Sequence, residues 1–529
     1  MQHIFHTLLF LFVCTGFLYA DFLYAETGAV VAKISFDAPN VLGQWSGSGA
    51  APIAWDEGAL RISLPEDGDA KHASITKTLP VEQLYGTRLR ITGRIKSDNV
   101  KEPPRPYNGI KMMLILDSPN GKQWLQRDNV WGTFDWKEVV FLANVPEYIT
   151  AATLLLGIEN TTGTAWFDDI TITVIAKKPV RPDTKPAGPV YKGHDLPRLR
   201  GTMINPNSFT SEDLKVLAGD WKANHIRWQF LWAGFPNGPA DTATVEEYDA
   251  WIDKQCAQLD ALLPELKHYG VRVCLDLHTP PCGRMPRETG SAMRLFQEKQ
   301  FQDAFVATWK KLARKYKDVD VVWSYDLLNE AVEGDMPNIE GLLDWRELAL
   351  KTSKEIRKID PDKAIVIEPA PWGAPSALQW FEPFDPKEVP NVVYSVHMYM
   401  PHEFTHQGVY ESPIGLVYPG RMSDGKHWDK EQIRRSLQSV IDYADDFGAA
   451  IYIGEFGSIR WAPENSSYRY LRDCIEVFEE EGWDWAYHAF REWHGWSVEH
   501  SSDKNDNSRV SEPTDRELLL RSWFEQNER

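Results

Sequence analysis

The ten residues VVWSYDLLNE, Val321–Glu330, form an apolar run that ends in an amide and a carboxylate. Seven more apolar runs lie on either side of it, so that strands are predicted at Gly201–Asn205, His225–Phe230, Arg272–His278, Val321–Glu330, Ala364–Pro369, Val392–Tyr399, Ala450–Gly457 and Trp483–Phe490. Helical patterns separate most of them, at Tyr248–Tyr269, Arg294–Tyr316, Leu342–Ile359, Lys430–Phe447 and Tyr468–Glu480. Eight strands alternating with helices over about 330 residues predict a (β/α)8 barrel.

Polar residues gather at the ends of these predicted strands, where barrel proteins carry their chemistry. A single such residue is as readily a turn former or a hydrogen-bonded core group. Six of the eight strand ends, however, carry ionisable or amide groups: Arg227, Asp276 and His278, Asn329 and Glu330, His397 and Tyr399, Glu455, and Arg491, Glu492 and Trp493. Together they predict a functional rim at one end of the barrel.

Glu330 and Glu455 stand out because each lies at the end of an apolar strand. A carboxylate buried there without a partner would be costly. One interpretation is a structural salt bridge, for example with Arg227. The other is a pair of carboxyl groups across the barrel mouth, one protonated as an acid and one ionised as a nucleophile, at the ~5–5.5 Å separation that retaining glycosidases need.

Two motifs resemble a known family. YDLLNE, Tyr325–Glu330, and YIGEFG, Tyr452–Gly457, are similar to the fourth-strand and seventh-strand signatures of glycoside hydrolase family 5, the cellulase family of retaining barrel enzymes. The resemblance covers roughly Gly201 to Phe524. It implies that Glu330 is the acid/base, that Glu455 is the nucleophile, and that neither metal nor cofactor takes part.

The resemblance also implies supporting roles for residues in matching order along the chain. Asn329 would bind the sugar 2-hydroxyl, while Tyr399 and Arg227 would position and polarise the nucleophile. His278 and His397 would bind the sugar at the cleavage subsite.

The eighth strand departs from the family pattern. Within WDWAYHAFREWHGW, Trp483–Trp496, His488 stands where the family usually places a tryptophan under the sugar ring. Trp493 is the favoured replacement, because it follows the strand end. Trp232 and Trp372, just beyond the second and fifth strands, are further candidates for sugar platforms, with a packing role as the alternative for each.

Before the barrel, residues 26–175 show short β-like runs broken by Gly, Pro, Asn and Asp. This pattern predicts an antiparallel jelly roll or sandwich, and a Pro-rich linker is predicted at 176–200 before the barrel domain 201–529. GTFDWKEVVF, Gly132–Phe141, and WFDDITI, Trp166–Ile172, resemble a carbohydrate-binding module. Candidate sugar platforms there are Trp45, Trp55, Trp124 and Trp131. Asp168 and Asp169 are turn residues or, alternatively, calcium ligands, and the whole domain has packing as its alternative role.

Residues 1–25 are predicted to be a signal peptide, because the apolar run Leu8–Tyr19 is too short for a membrane span and is followed by small residues. The protein is therefore expected to be secreted or periplasmic. A lipid anchor at Cys14 is less favoured, because Val13 before it is not small. Cys274 and Cys282 are predicted either to pair or to remain buried thiols.

The charge composition indicates which kinds of molecule the protein binds. With 57 Lys and Arg against 76 Asp and Glu, the net charge is −19, which argues against nucleic acid. The protein is expected to be a monomeric enzyme that acts on a plant-type polysaccharide or oligosaccharide. Its expected activity is that of an endo-β-1,4-glucanase, and the alternative is that of a β-mannanase or another β-glycan hydrolase.

Two other classes of protein are alternatives: a metal-dependent hydrolase using Asp276, His278 and His397, and a non-catalytic carbohydrate-binding protein. The first leaves the two glutamates without a role, and their joint presence argues against the second.

Overall fold

The computed structural model describes residues 27–48, 52–66, 71–119, 121–186, 190–232, 242–285, 292–333, 341–409 and 412–528. The signal-peptide segment 1–25 lies outside these ranges and stays a prediction. Two compact units divide the chain, Met1–Lys177 and Lys178–Arg529. No helix in the described ranges is both long and apolar enough to span a bilayer.

The first unit contains two antiparallel sheets. Its strands are β1 Val30–Ile34, β2 Ser46–Ser48, β3 Ile53–Asp56, β4 Ala59–Leu64, β5 His72–Thr78, β6 Thr87–Val100, β7 Gly109–Ser118, β8 Gly121–Gln126, β9 Gly132–Asn144, β10 Ala151–Glu159 and β11 Gly163–Lys177. One sheet has the order β3-β4-β11-β6-β9, with β1 also paired to β11, and the other has the order β2-β5-β10-β7-β8. Alternate residues such as Leu89 and Ile91 of β6 and Leu154 and Leu156 of β10 join one buried core. The predicted antiparallel architecture of this region is confirmed.

The four candidate tryptophans of this unit differ in exposure. Trp45 packs on Phe36 with ring centroids 5.7 Å apart, and the Trp55 indole donates to the Phe36 carbonyl at 2.6 Å. Trp124 on β8 is 61% exposed and Trp131 is 40% exposed. Trp124 and Trp131 are therefore the more exposed of the four, which is what a sugar platform needs. Sugar binding by this unit stays a prediction.

Asp168 and Asp169 make local contacts that organise the chain. The Asp168 carboxylate accepts a hydrogen bond from the Phe36 N–H at 2.9 Å. Asp169 has φ 49° at an irregularity of β11, and its carboxylate lies 3.2 Å from Arg94. The pair therefore lies at a bulge within β11, and the turn that the sequence predicted at the start of this strand is wrong.

The second unit is a closed barrel of eight parallel strands, in the order β12-β13-β14-β15-β16-β17-β20-β21. Its strands, with a short hairpin of β18 and β19, are β12 Arg200–Ile204, β13 His225–Gln229, β14 Arg272–Asp276, β15 Val322–Asp326, β16 Ala364–Ile367, β17 Val392–Met398, β18 Gly420–Arg421, β19 His427–Trp428, β20 Ala450–Phe456 and β21 Asp484–Phe490. The α-helices are α1 Ser211–Leu214, α2 Val245–His268, α3 Lys299–Tyr316, α4 Trp345–Arg357, α5 His402–Thr405, α6 Lys430–Ser436, α7 Gln438–Phe447, α8 Ser466–Glu481 and α9 Asp515–Phe524. The predicted (β/α)8 barrel is confirmed.

Several strands of the barrel end earlier in the structure than the apolar pattern of the sequence predicts. β15 ends at Asp326, so Asn329 and Glu330 lie in the loop after it. His278 and Tyr399 likewise follow β14 and β17 rather than ending them. The chain leaves the hydrogen-bonded ladder while its apolar side chains remain buried, so hydrophobicity alone overestimates the length of these strands.

Residues 190–199, within the segment predicted as a linker, lie against the N-terminal end of the barrel. The His194 ring lies 2.7 Å from the Asp484 carboxylate, which also accepts the Leu199 N–H at 2.7 Å. Gly193 has φ 86°, and a Cβ there would come within 2.6 Å of the Ala364 side chain. Only glycine fits such a close approach.

The Cys274 thiol on β14 is free and buried. Burial raises the pKa of this thiol well above its ordinary value. Of the two alternatives for Cys274 and Cys282, the structure therefore has the thiol and not the disulfide.

We expect Asp484→Ala to lower the free energy of unfolding of the barrel by about 2–4 kcal/mol, because it leaves a buried imidazole and a buried N–H without their acceptor. Asp445→Ala is the matched control. Asp445 pairs with Lys185 at the surface, where both side chains are about two-thirds exposed, and its loss should cost less than ~1 kcal/mol. Denaturant unfolding followed by tryptophan fluorescence measures both, and equal losses would contradict the structural role of Asp484.

Candidate active site

Arg227 lies at the centre of the C-terminal end of the barrel, fully buried. It donates to Glu455 at 2.7 Å, to Glu368 at 2.7 Å and to Asp326 at 2.9 Å, and its Nη2 lies 3.2 Å from Asp276. We call these four carboxyl groups around Arg227 the carboxylate cluster. A guanidinium presents its donors in one rigid plane, so it fixes where each carboxyl group stands. The salt bridge that the sequence left as an alternative for Glu455 thus exists within a larger assembly.

The carboxylate cluster has more acidic groups than one guanidinium can neutralise. Burial raises the pKa of Asp326 well above its ordinary range, and the charges of Glu368 and Asp276 raise it further. Its neutral form is therefore favoured. Arg227 remains charged, because its acidic neighbours outweigh burial and raise the pKa of the guanidinium.

Glu455, on β20, is the best-defined carboxylate of the site and is 3% exposed. One oxygen accepts from Arg227, and the other accepts from the Tyr399 hydroxyl at 2.9 Å. Burial alone would raise the pKa of Glu455, but the charges of His397, His488 and Arg227 outweigh it, so that the pKa falls well below its ordinary value. Glu455 is therefore held ionised.

Glu330 differs from Glu455 in its surroundings. Its backbone has φ 49°, and its N–H donates to Glu368 at 2.7 Å. One carboxyl oxygen lies 2.9 Å from Nδ1 of His397, and the side chain is 20% exposed. Arg284 donates to the Glu330 carbonyl at 2.9 Å. Glu330 thus faces the opening of the barrel, whereas Glu455 lies deeper.

His397, near the end of β17, stands between three carboxyl groups. Its Nδ1 lies 2.9 Å from Glu330 and 3.6 Å from Glu455, and its Nε2 lies 3.1 Å from Glu368. Burial would lower the pKa of His397, but Glu368 and Glu455 raise it well above its usual value. The imidazolium form links the two predicted catalytic glutamates.

Asn329 and His278 complete the wall beside Glu330. The Asn329 amide oxygen accepts from Arg227 at 3.2 Å, and its Nδ2 lies 3.4 Å from Nε2 of His278. The other ring nitrogen of His278 lies 2.9 Å from Asp276. All the non-tryptophan residues predicted for the site are therefore brought together in one hydrogen-bonded assembly.

The three tryptophans predicted as sugar platforms differ in their exposure and in whether they border the site. Trp372 is 37% exposed, and the Arg284 guanidinium lies over its ring at 5.1 Å, so Trp372 borders the site next to Glu330. Trp232 stacks on Trp251 with ring centroids 4.9 Å apart and packs against the barrel core. Its contacts are those of the packing alternative.

Trp493 reaches the site only through another aromatic ring, that of Trp496. It is 36% exposed and meets Trp461 and Trp496 edge to face, while Trp496 in turn contacts Tyr399 at 5.9 Å between centroids. His488 of β21 contacts the site directly, because its Nδ1 lies 2.5 Å from the Tyr399 hydroxyl and 3.6 Å from Glu455.

Sequence reasoning missed Glu368 and Arg284. Glu368 is fully buried and directly follows β16, and a carboxylate at the end of an apolar strand is the signal that could have identified it. The predicted strand Ala364–Pro369 instead enclosed it. Arg284 lies in a loop without regular pattern, and the sequence offered no signal for it.

A His-Glu-x-x-His spacing at 402–406, typical of zinc-binding helices, was also missed. The two imidazoles stack with centroids 3.8 Å apart, and Glu403 accepts the Ser423 N–H. Among the described residues, the one group of three with metal-ligand atoms close together is Glu330, His397 and Glu455, within 4.8 Å of one another. Nδ1 of His397 lies 2.9 Å from Glu330 and 3.6 Å from Glu455, so the three side chains already contact one another directly, and we assign no metal to them.

A parallel barrel with two glutamates at its C-terminal end defines the class of barrel glycosidases. The sequence model described as cellulase, glycosyl hydrolase family 5, matches residues 186–499. The chain belongs to this family and is a glycoside hydrolase.

Curated relatives include Endoglucanase C of Acetivibrio thermocellus, 26% identical over 295 residues that cover 51% of this chain and 80% of the relative. Cellodextrinase A of Ruminococcus flavefaciens is 27% identical over 285 residues, 52% of this chain and 76% of the relative. A solved hyperthermophilic endo-β-1,4-glucanase in complex with substrate aligns with 61% of this chain and 97% of its own, at 22% identity and a TM-score of 0.45.

We expect Glu368→Gln to lower the pKa of His397 by about 1 or more, because the substitution removes the largest of the charges that favour the imidazolium. Histidine NMR titration measures this, with the His397 signal identified by its loss in His397→Gln. Glu388→Gln, on the surface, is the control and should leave the titration unchanged. An unaltered His397 pKa in Glu368→Gln would contradict the electrostatic link.

Proposed function

We propose that this family 5 enzyme is a retaining β-glycosidase that cleaves a β-1,4-glucan-type polysaccharide by double displacement. The observation that supports it best is the spacing of the two glutamates: one oxygen of Glu330 lies within 4.8 Å of one of Glu455. Retaining enzymes separate their carboxyl groups by ~5–5.5 Å, whereas inverting enzymes separate them by ~6.5–9.5 Å to admit a water.

In the first step, Glu455 attacks the anomeric carbon while Glu330 donates its proton to the departing glycosidic oxygen. The contacts support this division of roles. Glu455 is held ionised by Arg227 and its cationic neighbours, whereas Glu330 is closer to solvent, where a leaving group departs. The product is a covalent glycosyl ester on Glu455.

In the second step, a water enters on the face that the leaving group vacated. The ester carries no charge, so Glu330 can now hold a negative charge and accept the proton of that water. Hydrolysis releases the sugar with its original anomeric configuration and restores both carboxyl groups.

The surrounding polar groups support substrate binding. Asn329, next to Glu330, is oriented by Arg227 so that its Nδ2 can meet the sugar 2-hydroxyl. His278 is 15% exposed and is oriented by Asp276, which leaves it able to contact the substrate. Trp372, beside Arg284 at the rim, is the tryptophan best placed to stack on a neighbouring sugar.

The choice of β-1,4-glucan rests on the relatives, which are named an endoglucanase and a cellodextrinase. A β-mannan substrate is the alternative, because His488 replaces the expected indole and loop changes retune substrate choice on this fold. Export of the enzyme, which we expect to act as a monomer, is also part of the proposal, and the apolar run Leu8–Tyr19 supports the export. A purely carbohydrate-binding role is less favoured, because Glu455 is buried, ionised and aimed into the site.

We expect Glu455→Ala to lose at least about 10⁴-fold in kcat, because no nucleophile remains. Glu330→Ala should lose about 10²–10⁴-fold on unactivated oligosaccharides and far less on activated aryl glycosides, with azide restoring turnover. Glu464→Ala, exposed in the loop after β20, is the control and should retain full activity. Near-normal cellulose-oligosaccharide hydrolysis by Glu455→Ala would refute the assignment.

We expect a fresh digest of cellohexaose, followed by proton NMR, to show the β-anomer first and the α-anomer later by mutarotation, since two inversions preserve configuration. Product sizing of the same digest separates internal cleavage from stepwise release. Mannohexaose, run in parallel, tests the alternative substrate. An α-anomer appearing first would indicate a single displacement and refute the retaining mechanism.

A further inference from the structure

The residue that replaces the usual tryptophan lies in a chain of hydrogen bonds that ends at the nucleophile. Gln229 donates to Glu492 at 2.7 Å, and the other oxygen of Glu492 lies 3.4 Å from Nε2 of His488. Nδ1 of His488 lies 2.5 Å from the Tyr399 hydroxyl, which is 2.9 Å from Glu455. His488 therefore lies between an acidic partner and the Tyr399 hydroxyl.

The protons of this chain can be assigned from its geometry. Glu455 is ionised and can only accept, so the single proton of Tyr399 must point to it. Nδ1 of His488 must then donate to the Tyr399 oxygen. Nε2 faces the Glu492 carboxylate, which also only accepts, so this nitrogen must carry a proton as well. The geometry is satisfied in full only by an imidazolium.

The charges around His488 agree with this assignment. Burial would lower the pKa of His488, but Glu492, and after it Glu455 and Glu330, raise it. The pKa of Glu492 is lowered, since His488, Gln229 and His278 outweigh its burial. Trp496 covers the imidazole, with ring centroids 5.6 Å apart. The titratable groups that face the pair from the surrounding elements are Tyr399, Glu455, Glu330, His406 and His278.

We propose that His488 and Glu492 form a positioning dyad that keeps the Tyr399 hydroxyl donating to the nucleophile Glu455. This inference rests on the proposed function. When His488 loses its proton, Nε2–H is retained toward Glu492 and Nδ1 becomes an acceptor. The Tyr399 proton then turns to His488, and Glu455 loses both that hydrogen bond and a positive charge 3.6 Å away. The dyad thereby sets an upper pH limit on the nucleophile.

The test isolates the step in which Glu455 attacks. With 2,4-dinitrophenyl β-cellobioside the leaving group needs no proton from Glu330, so the burst rate reports the nucleophile alone. In the full-length protein we expect a basic limb in the burst rate against pH. Glu492→Gln should move that limb about 1 pH unit lower, since the charge that favours the imidazolium is gone. His488→Gln, whose amide donates at every pH, should abolish the limb.

A control variant and a second readout keep the test decisive. Glu512→Gln, exposed beyond β21, is the control and should leave the burst profile unchanged. A uniform loss at every pH in both dyad variants, with the limb unmoved, would reduce the pair to a structural role and overturn the proposal. If the wild-type protein hydrolyses the cellobioside without a burst, the attack itself limits turnover, and kcat/KM against pH is measured in place of the burst rate. If it does not hydrolyse the cellobioside at all, the proposed function fails, and histidine NMR then decides on the dyad. A His488 pKa that falls in Glu492→Gln supports the dyad, and an unchanged one refutes it.

Discussion

Inside the barrel, the guanidinium of Arg227 binds carboxyl groups that come from the ends of four strands or from just beyond them. Without it, Glu455, Glu368, Asp326 and Asp276 would repel one another in a medium that screens charge poorly. Because the guanidinium is rigid and fully buried, it also sets the distances between these groups. The geometry of the site is therefore a consequence of one buried cation whose donors are shared among several acids.

Two glutamates with the same covalent structure acquire different behaviour from this arrangement. Glu455 receives hydrogen bonds from Arg227 and Tyr399 and lies near two histidines, so its ionised form is stabilised. Glu330 is held mainly through its backbone N–H, by Glu368, and leaves its carboxyl group near the opening. Such separation of environments is how paired carboxylates divide the work of acid and nucleophile in glycosidases.

The eighth strand shows how a family scaffold tolerates a change at a central position. An indole supplies a flat apolar surface, whereas His488 supplies a charge and two donors. An unpaired charge would be costly at this partly buried position, and it is compensated by Glu492, which also accepts a hydrogen bond from Gln229. The replacement therefore involves a small polar network, which links the strand to Tyr399 and the nucleophile.

The sequence by itself determined the barrel, because alternation of apolar strands with amphipathic helices is a local periodic property. It also located Glu330, Glu455 and their polar companions, since each lies near or just beyond the end of such a strand and all strand ends of a parallel barrel meet on one face. Which of these residues is ionised, and which charged groups surround it, was decided by the tertiary structure alone. Glu368 and Asp326 belong to the site because each accepts a hydrogen bond from Arg227, which lies 141 residues from Glu368 and 99 residues from Asp326 in the chain. Tryptophan positions were likewise beyond the sequence, because an indole is equally suited to a core and to a sugar platform, and only burial distinguishes Trp232 from Trp372.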